Sequence, residues 1–258
     1  MDAVLCVKGK RIGTGRPLVC VPVMEQTREG IVAEVQRLVQ LHVDMVEWRV
    51  DAFAGIESLN EIREVLADLA PLVEHTILVY TFRSKQQGGL LELDAERVYD
   101  IHQVAAESHV VDFIDLEMFE TRKPEREIRK LQEMGTHVIA SHHDFDETPE
   151  KTVIRMLLEQ INESGADIVK LALMPQCMQD VWNLLEETER FHTRYPNRPV
   201  ITMSMGAMGG ISRVAGEFDG SCVSFGAGKT ASAPGQLAMG KLTEVLDILH
   251  ESIEQEPI

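Results

Sequence analysis

The sequence is poor in cysteine, aromatic residues and positive charge, and each shortage rules out a class of protein. Its four cysteines are scattered without a CxxC pair, so they predict free thiols in a reducing compartment rather than a disulfide-stapled fold. Only 25 basic residues face 42 acidic ones, and the net charge of −17 argues against nucleic acid or an anionic membrane surface as a partner. No apolar run is long enough to span a bilayer, and the N-terminus lacks a signal-peptide core, so we expect a cytoplasmic protein.

The remaining composition is that of an ordinary globular protein. Hydrophobic residues make up 44% of the chain and charged residues 26%. The sequence contains no linker or low-complexity tract, so residues 1–258 are expected to form one domain. A negative overall charge still allows a local group of arginines to bind a small organic anion.

Apolar, strand-like runs alternate with helical patterns along the chain. The eight runs cover residues 18–24, 44–50, 76–82, 111–117, 137–143, 167–173, 199–205 and 221–227. Segments between them, such as IVAEVQRLVQLH, place apolar residues at helical spacing, and Gly135 and Gly165 stand where helices should end. The pattern predicts an α/β fold, a parallel (β/α)₈ TIM barrel. A doubly wound open sheet is the alternative, but it usually has a glycine-rich turn after its first strand, and VPVMEQTREG has none.

Residues 1–16 precede the first barrel strand and read as a short β-hairpin. We expect this hairpin to close the bottom of the barrel, at the N-terminal ends of the strands. Pro22 cannot donate a ladder hydrogen bond, so we place it at the C-terminal end of its strand.

The sixth run, DIVKLAL, contains a lysine, Lys170, between Val169 and Leu171. An amine in apolar surroundings is favoured in its neutral form, and a neutral amine can form a Schiff base with a carbonyl. The alternative is a lysine at a strand end whose ammonium reaches solvent. Position favours a reactive role, because the active site of a TIM barrel lies at the C-terminal ends of its strands.

Other polar or flexible side chains fall at the same ends. They are Glu47, Arg49, Arg83, Glu117, His143, Met203 and Met205, followed in later loops by Arg213, Ser232 and Gln236. Several cations at one mouth of an acidic protein predict a site for a hydroxylated organic anion with a ketone. Glu47 and Arg49 could instead form a structural ion pair, and the two methionines could be core filler.

Two motifs suggest other chemistry. His142 and His143 could bind a metal, but adjacent strand residues point to opposite faces and no HxH or HExxH spacing is present. The stretch GAGKT resembles the end of a P-loop, but Val223 occupies the position where the first glycine is needed.

Seven motifs, in order, resemble the type I 3-dehydroquinate dehydratases. They are EWRVD, TFRS, SHHDF, DIVKLALMPQ, ITMSM, SRVAGE and ASAPGQ. The resemblance covers nearly the whole chain. It implies a cofactor-free, metal-free lyase of the shikimate pathway, which leads to chorismate and the aromatic amino acids. The reaction would convert 3-dehydroquinate, a small-molecule substrate, to 3-dehydroshikimate, and the enzyme would be a homodimer.

The same resemblance implies roles for individual residues. Lys170 would form the imine and His143 would be the general acid and base. Arg213 would clamp the substrate carboxylate beside Ser232 and Gln236. Residues in contact with the ring would be Glu47, Arg49, Arg83, Met203 and Met205.

One position departs from the family pattern. The family usually has a glutamate where this chain has Gln87, in FRSKQQGG. An amide can hydrogen-bond to His143 but cannot stabilise the imidazolium by charge, so Gln87 is predicted to tune the histidine.

Two other functions are weighed against the lyase. A class I aldolase or transaldolase acting on a sugar phosphate would share the barrel and the lysine, and the loop GAMGGIS could bind its phosphate. A barrel that only binds or scaffolds a partner would not need Lys170, His143 and Arg213 to converge in one pocket.

Overall fold

Eight parallel strands form a nearly closed barrel, which confirms the predicted (β/α)₈ architecture. The structure is a computed structural model that describes residues 5–229 and 231–255. Two short antiparallel strands, β1 (Leu5–Val7) and β2 (Lys10–Ile12), precede the barrel. The barrel strands are β3 (Leu18–Val23), β4 (Met45–Arg49), β5 (Ile77–Thr81), β6 (Phe113–Glu117), β7 (His137–Asp144), β8 (Ile168–Leu173), β9 (Val200–Ser204) and β10 (Val223–Phe225). Each strand from β3 to β8 pairs with the next, and β10 pairs with β3. An isolated bridge between Val200 and Ser221 links β9 to the chain before β10.

Helices connect the strands around the outside of the barrel. They are α1 (Arg28–Gln40), α2 (Leu59–Leu69), α3 (Ala95–Glu107), α4 (Pro124–Glu133), α5 (Lys151–Glu163), α6 (Met178–Arg194), α7 (Gly216–Asp219) and α8 (Met239–Gln255). The side chains of Thr27, Ser58 and Asp94 accept backbone hydrogen bonds at the starts of α1, α2 and α3. Gly135 and Gly165 follow α4 and α5 with φ of +90° and +83°, as the sequence predicted. Among the described residues, no helix has the length and apolarity needed to cross a membrane.

Side-chain alternation along the strands divides the core in two. Val19, Val21 and Trp48 pack outward, against the helices, in the larger cluster. Cys20 and Met45 pack inward, in a smaller cluster that fills the lower part of the barrel and continues to its upper end with Met203, Met205 and Phe225. In the upper part of the barrel interior, these apolar side chains lie beside the polar side chains at the strand ends.

The hairpin closes the N-terminal end of the barrel, as predicted. Val7 and Ile12 are buried in the inner cluster. At the turn, the Lys8 amine donates to the Thr76 carbonyl (3.1 Å) and to Asp112 (2.6 Å), just before β5 and β6. Residues 1–4 of the predicted hairpin lie outside the described residues. Pro22 is next to last in β3, in line with its expected place.

Candidate active site

A cavity of about 450 Å³, including its open mouth, lies at the C-terminal ends of the barrel strands. Its walls are formed by Glu47, Arg49, Arg83, Gln87, Gly88, His143, Phe145, Lys170, Ala172, Met203, Met205, Phe225, Ser232, Ala233 and Gln236. The structure thus brings together every residue predicted from the strand ends and loops except Glu117 and Arg213. Parallel pairing explains the convergence, because all eight strands end on the same side.

Lys170 projects from β8 into the barrel, and its surroundings there are polar. The side chain is 3% exposed, and Nζ donates to Asp115 Oδ2 at 2.7 Å and lies 3.9 Å from Glu47 Oε1. The Phe225 ring centroid lies 4.5 Å from Nζ. Val169 and Leu171 belong to the outer core cluster. The prediction of an apolar environment for Lys170 is therefore wrong, because its apolar neighbours in the chain lie on the opposite face of the strand.

Asp115, at the centre of β6, joins the lysine to an arginine, and the sequence prediction missed it. Arg83 Nη2 and Ser141 Oγ both donate to Asp115 Oδ1, at 2.7 and 2.6 Å. Burial alone would raise the pKa of Asp115, but the charges of Arg83 and Lys170 outweigh it and hold this pKa well below its usual range. Asp115 stands two residues before Glu117 on the same strand face, a spacing that could have identified it.

Arg83 is held by a second carboxylate at the end of β6. Its Nη1 donates to Glu117 Oε1 at 2.9 Å, and the Ser84 backbone N–H donates to the same oxygen at 2.9 Å. Burial alone would lower the pKa of Arg83, but Asp115 and Glu117 raise it above its usual value. This guanidinium is therefore a fixed positive charge on the cavity wall.

Glu47 and Arg49 do not form the ion pair considered from the sequence. Arg49 makes a two-pronged pair with Asp51, with distances of 2.7 and 2.8 Å. Asp51 lies in a short 3₁₀ turn, Val50–Ala52, directly after β4. Glu47 accepts instead from Thr81 Oγ1 at 2.9 Å. The turn supplies a nearer and better aligned partner for the guanidinium, which the strand pattern alone could not reveal.

His143 lies near the end of β7, and Gln87 fixes its orientation. Gln87 Oε1 accepts from the His143 backbone N–H at 2.9 Å and lies 3.2 Å from ring Nδ1. A backbone N–H can only donate, so the amide atom facing it is the oxygen, and Nδ1 beside it carries the proton. Nε2 is then left with its lone pair. Burial, followed by the charges of Arg83 and Lys170, holds the pKa of His143 well below its usual value, so the ring is neutral near pH 7.

The other histidine of the pair has a different environment. His142 packs edge-on against Phe119, with ring centroids 4.9 Å apart. Within residues 5–229 and 231–255, no group of three or more His, Cys, Asp or Glu side chains is arranged to hold a metal ion. Lys229 of the GAGKT stretch pairs with Glu34 of α1 at 2.8 Å.

Arg213 does not line the cavity. It ends a 3₁₀ turn, Met208–Arg213, and its guanidinium donates to the carbonyls of Pro234 (2.9 Å) and Phe225 (3.4 Å). Its Nε is buried and has no hydrogen-bond partner among the described residues. Burial lowers the pKa of Arg213 to about 10, so it remains charged at neutral pH. Ser232 and Gln236 hydrogen-bond to each other in the neighbouring loop, at 2.8 and 3.0 Å.

Known proteins match the chain over nearly its full length. The sequence model of the type I 3-dehydroquinase family matches residues 19–253. A 3-dehydroquinate dehydratase from Clostridium botulinum is 40% identical over 255 residues, covering 98% of this chain and 100% of that protein. One from Klebsiella pneumoniae is 41% identical over 253 residues, covering 96% of this chain and 100% of that protein.

Solved structures agree with these sequence relatives. The type I 3-dehydroquinate dehydratase of Clostridium difficile, solved with covalently modified comenic acid, superposes with a TM-score of 0.93. It is 39% identical, with 98% of this chain and 100% of that chain covered. The 3-dehydroquinate dehydratase of Geobacillus kaustophilus gives a TM-score of 0.92 at 30% identity, covering 98% of this chain and 97% of that chain. None of these four relatives is an aldolase or transaldolase. The chain therefore belongs to the type I 3-dehydroquinase family and has the activity of a 3-dehydroquinate dehydratase, a carbon–oxygen lyase.

Proposed function

We propose that this enzyme dehydrates 3-dehydroquinate through an imine on Lys170, with His143 as general acid and base. The observation that carries the proposal is a buried lysine amine facing the same cavity as a neutral histidine. The pathway is the shikimate pathway, which leads to chorismate and the aromatic amino acids.

The chemistry begins when Lys170 gives a proton to His143 and adds to the C3 ketone. His143 returns that proton to the carbinolamine hydroxyl, which leaves as water. The resulting iminium withdraws electrons, so the C2–H bond can break and its proton pass to His143. The electron pair forms the C1–C2 double bond, and the C1 hydroxyl departs with a proton from His143 as water. A second water then hydrolyses the imine and restores Lys170. One water is consumed and two are released, so the net loss is one water.

Gln87 supports the base form of His143. Its oxygen accepts from Nδ1, which leaves the Nε2 lone pair available for the C2 proton. As a neutral amide it adds no charge to stabilise the imidazolium, and Arg83 and Lys170 already disfavour that form. His143 is therefore a ready base but a scarce acid near neutral pH.

Substrate binding requires Arg213 to exchange partners. In the structure its guanidinium is occupied by the carbonyls of Phe225 and Pro234. We propose that the substrate carboxylate replaces these carbonyls, beside Ser232 and Gln236, when the loop containing Pro234 shifts. A charge-assisted pair is stronger than a bond to a neutral carbonyl, which favours the exchange. Glu47, Arg49 and Arg83 would hold the ring hydroxyls, with Met203 and Met205 packed against the ring.

We further propose that the enzyme is a cytoplasmic homodimer whose subunits, residues 1–258, each form one domain and need no cofactor. Large apolar side chains on α6, Met178 and Trp182, are 42% and 48% exposed, which supports a contact between subunits. Sedimentation equilibrium should give twice the chain mass, and a monomer would contradict the assignment.

Borohydride trapping tests the imine. Reduction in the presence of 3-dehydroquinate should fix one substrate-derived adduct per chain, and peptide mass mapping should place it on Lys170. Lys8, Lys151 and Lys229 are internal controls, because they are ion-paired outside the cavity. An adduct on any of these three, or none at all while turnover proceeds, would refute the mechanism.

A further inference from the structure

A second and larger cavity lies outside the barrel, between α3 and α4. Including its open mouth it measures about 1180 Å³, against about 450 Å³ for the active-site cavity. Its floor is formed at the ends of β5 and β6, by Phe82, Leu116 and Glu117, and the two helices form its walls. It shares no lining residue with the active-site cavity. A concave, largely apolar space between packed elements is typical of a small-molecule site.

Two buried polar side chains on its walls have no partner among the described residues. His102 of α3 is 4% exposed, and its Nε2 makes no hydrogen bond. Ser84 is 7% exposed, and its Oγ is likewise unpaired. Buried polar groups are normally satisfied, because an unmade hydrogen bond is costly. Polar groups of a ligand at the inner end of the cavity would satisfy these two atoms.

The opposite end of the cavity is acidic. Glu92, Glu96 and Glu120 are exposed at its mouth, and within residues 5–229 and 231–255 none of them forms an ion pair. Arg122 is the single basic residue among the lining residues described. Burial lowers the pKa of His102 to about 4, so this ring is neutral near pH 7 and does not repel a cation. The mouth therefore attracts positive charge.

We propose that this outer cavity binds a small organic cation: a protonated amine on an aromatic body that carries a hydroxyl at its far end. The ammonium lies among the mouth carboxylates, and the ring packs between Val98 and Leu131. The hydroxyl reaches His102 and Ser84. The ammonium thus contacts carboxylates, the ring contacts apolar side chains, and the hydroxyl contacts unpaired polar groups.

The outer cavity is joined to the active site by one carboxylate. Glu117 lines the outer cavity, and its Oε1 accepts from Arg83, which lines the active-site cavity. The ligand hydroxyl at Ser84 lies beside Glu117, because the Ser84 backbone N–H donates to the same Oε1. This hydroxyl competes with Arg83 for the Glu117 carboxylate, which weakens the hold of Arg83 on substrate. The amine is therefore expected to raise KM. By linkage, substrate weakens amine binding by the same factor. This coupling rests on the proposed role of Arg83, whereas amine binding itself does not.

Calorimetry with N,N-dimethyltyramine tests the binding. This probe has the hydroxyl, the ring and a tertiary amine that cannot form an imine with the substrate ketone. We expect one saturable site per chain. The uncharged analogue tyrosol should bind about tenfold more weakly, because it forms no ion pair. N,N-dimethylphenethylamine, which lacks the hydroxyl, should bind the wild type several-fold more weakly than N,N-dimethyltyramine does. The two amines should bind His102→Phe with equal affinity.

Matched variants locate the site. The double variant Glu96→Gln/Glu120→Gln should weaken N,N-dimethyltyramine binding by about tenfold. Glu29→Gln is the control, since Glu29 is also an exposed glutamate in the first turn of a helix, α1, and should leave binding unchanged. Equal binding of tyrosol, or indifference to the double variant, would overturn the proposal. So would complete loss of binding once borohydride has fixed substrate in the active site.

Steady-state kinetics test the coupling. N,N-dimethyltyramine should raise KM with kcat unchanged in the wild type and have little effect in the double variant. An unchanged KM at saturating amine would refute the link through Glu117. A failure of the proposed reaction would be seen without any amine, as lack of turnover, so the two failures are distinguishable.

Discussion

Two lysine–aspartate pairs of nearly equal length lie at opposite ends of the barrel, and the one at the open end faces the active-site cavity. Lys8 and Asp112, at the closed end, are 2.6 Å apart with side chains 21% and 14% exposed. Lys170 and Asp115, at the open end, are 2.7 Å apart with side chains 4% and 0% exposed. The ion pair alone is thus no signal of function. Burial, a cavity and further partners such as Arg83 distinguish the pair that we propose to be reactive from the structural one.

Replacing the two lysines should separate these roles most strongly. Lys170→Ala removes the proposed nucleophile, so kcat/KM should fall by about 10⁴-fold or more. Lys8→Ala should keep turnover near that of the wild type, because Lys8 only fastens the hairpin. The conjugated enone of the product gives the rate by absorbance, and circular dichroism reports whether Lys170→Ala is folded. Comparable turnover by both variants would remove the distinction between the two ends.

The adjacent histidines provide a second contrast. His143→Ala should lose about 10²–10⁴ in rate and accumulate the imine, since proton transfer becomes slow while the lysine remains. His142→Ala should turn over nearly normally, because that ring packs against Phe119. Borohydride quenching during turnover, followed by mass spectrometry, measures the trapped fraction. A normal rate for His143→Ala would mean that another group moves the proton.

Replacing the two aspartates should lower the free energy of unfolding by different amounts. Asp115→Asn leaves buried Lys170 and Arg83 without their shared charge and should cost about 3–5 kcal/mol of unfolding free energy. Asp112→Asn, at a partly exposed pair, should cost about 1 kcal/mol or less.

The contribution of Asp115 to stability should also depend on pH. Because its folded-state pKa is lowered, Asp115 stabilises the native state above its unfolded pKa of about 3.9, and this contribution is lost as the pH falls further. Urea unfolding between neutral and acidic pH should therefore show a steeper acid loss for the wild type than for Asp115→Asn. Equal slopes would contradict the lowered pKa.

Two arginines that donate to backbone carbonyls allow a further comparison between a proposed functional residue and a structural one. Arg213→Ala should raise KM by about ten- to a hundredfold, because a charge-assisted bond to the substrate carboxylate is worth about 1.5–3 kcal/mol. Arg198→Ala is the control, since Arg198 donates to the Ala166 carbonyl at 2.6 Å, before β9 begins. Substrate analogues without the carboxylate should bind wild type and Arg213→Ala alike.

The smallest effect is expected at Gln87. A carboxylate beside His143 favours the imidazolium, so Gln87→Glu should raise the pKa of His143. The pH–rate profile should then move toward higher pH, and hydroxyl departure and imine hydrolysis should be faster near neutral pH. C2 proton abstraction, measured with deuterated substrate, should change less. An unshifted profile would show that another group already sets the charge of the ring.

Much of the fold could be predicted from the sequence because barrel periodicity is local. Each of the eight apolar runs coincides with a barrel strand to within two residues at either end, and Gly135 and Gly165 mark the helix ends. The strand-end rule placed Lys170 and His143 on one cavity. The same rule could not predict the ion pair between Arg49 and Asp51, because that pair depends on a turn after β4.

Other features depend on packing between distant segments. Asp115 sits in a strand that reads as ordinary core, and its partners come from three other strands or their ends. Arg213 was expected on the cavity wall but is turned to the carbonyls of Phe225 and Pro234. The outer cavity arises from how α3 and α4 rest on β5 and β6, which no pattern in one segment encodes.

The meeting of the first and last barrel strands has a consequence for the nascent chain. The Leu18 backbone N–H donates to the Cys222 carbonyl at 3.0 Å, and β10 completes the pairing of β3. During synthesis, one edge of β3 therefore has no partner strand until β10 leaves the ribosome. An uncovered edge invites pairing with another chain. A product truncated before Cys222 should thus be prone to association between molecules, and chaperones that shield strand edges should matter most late in translation.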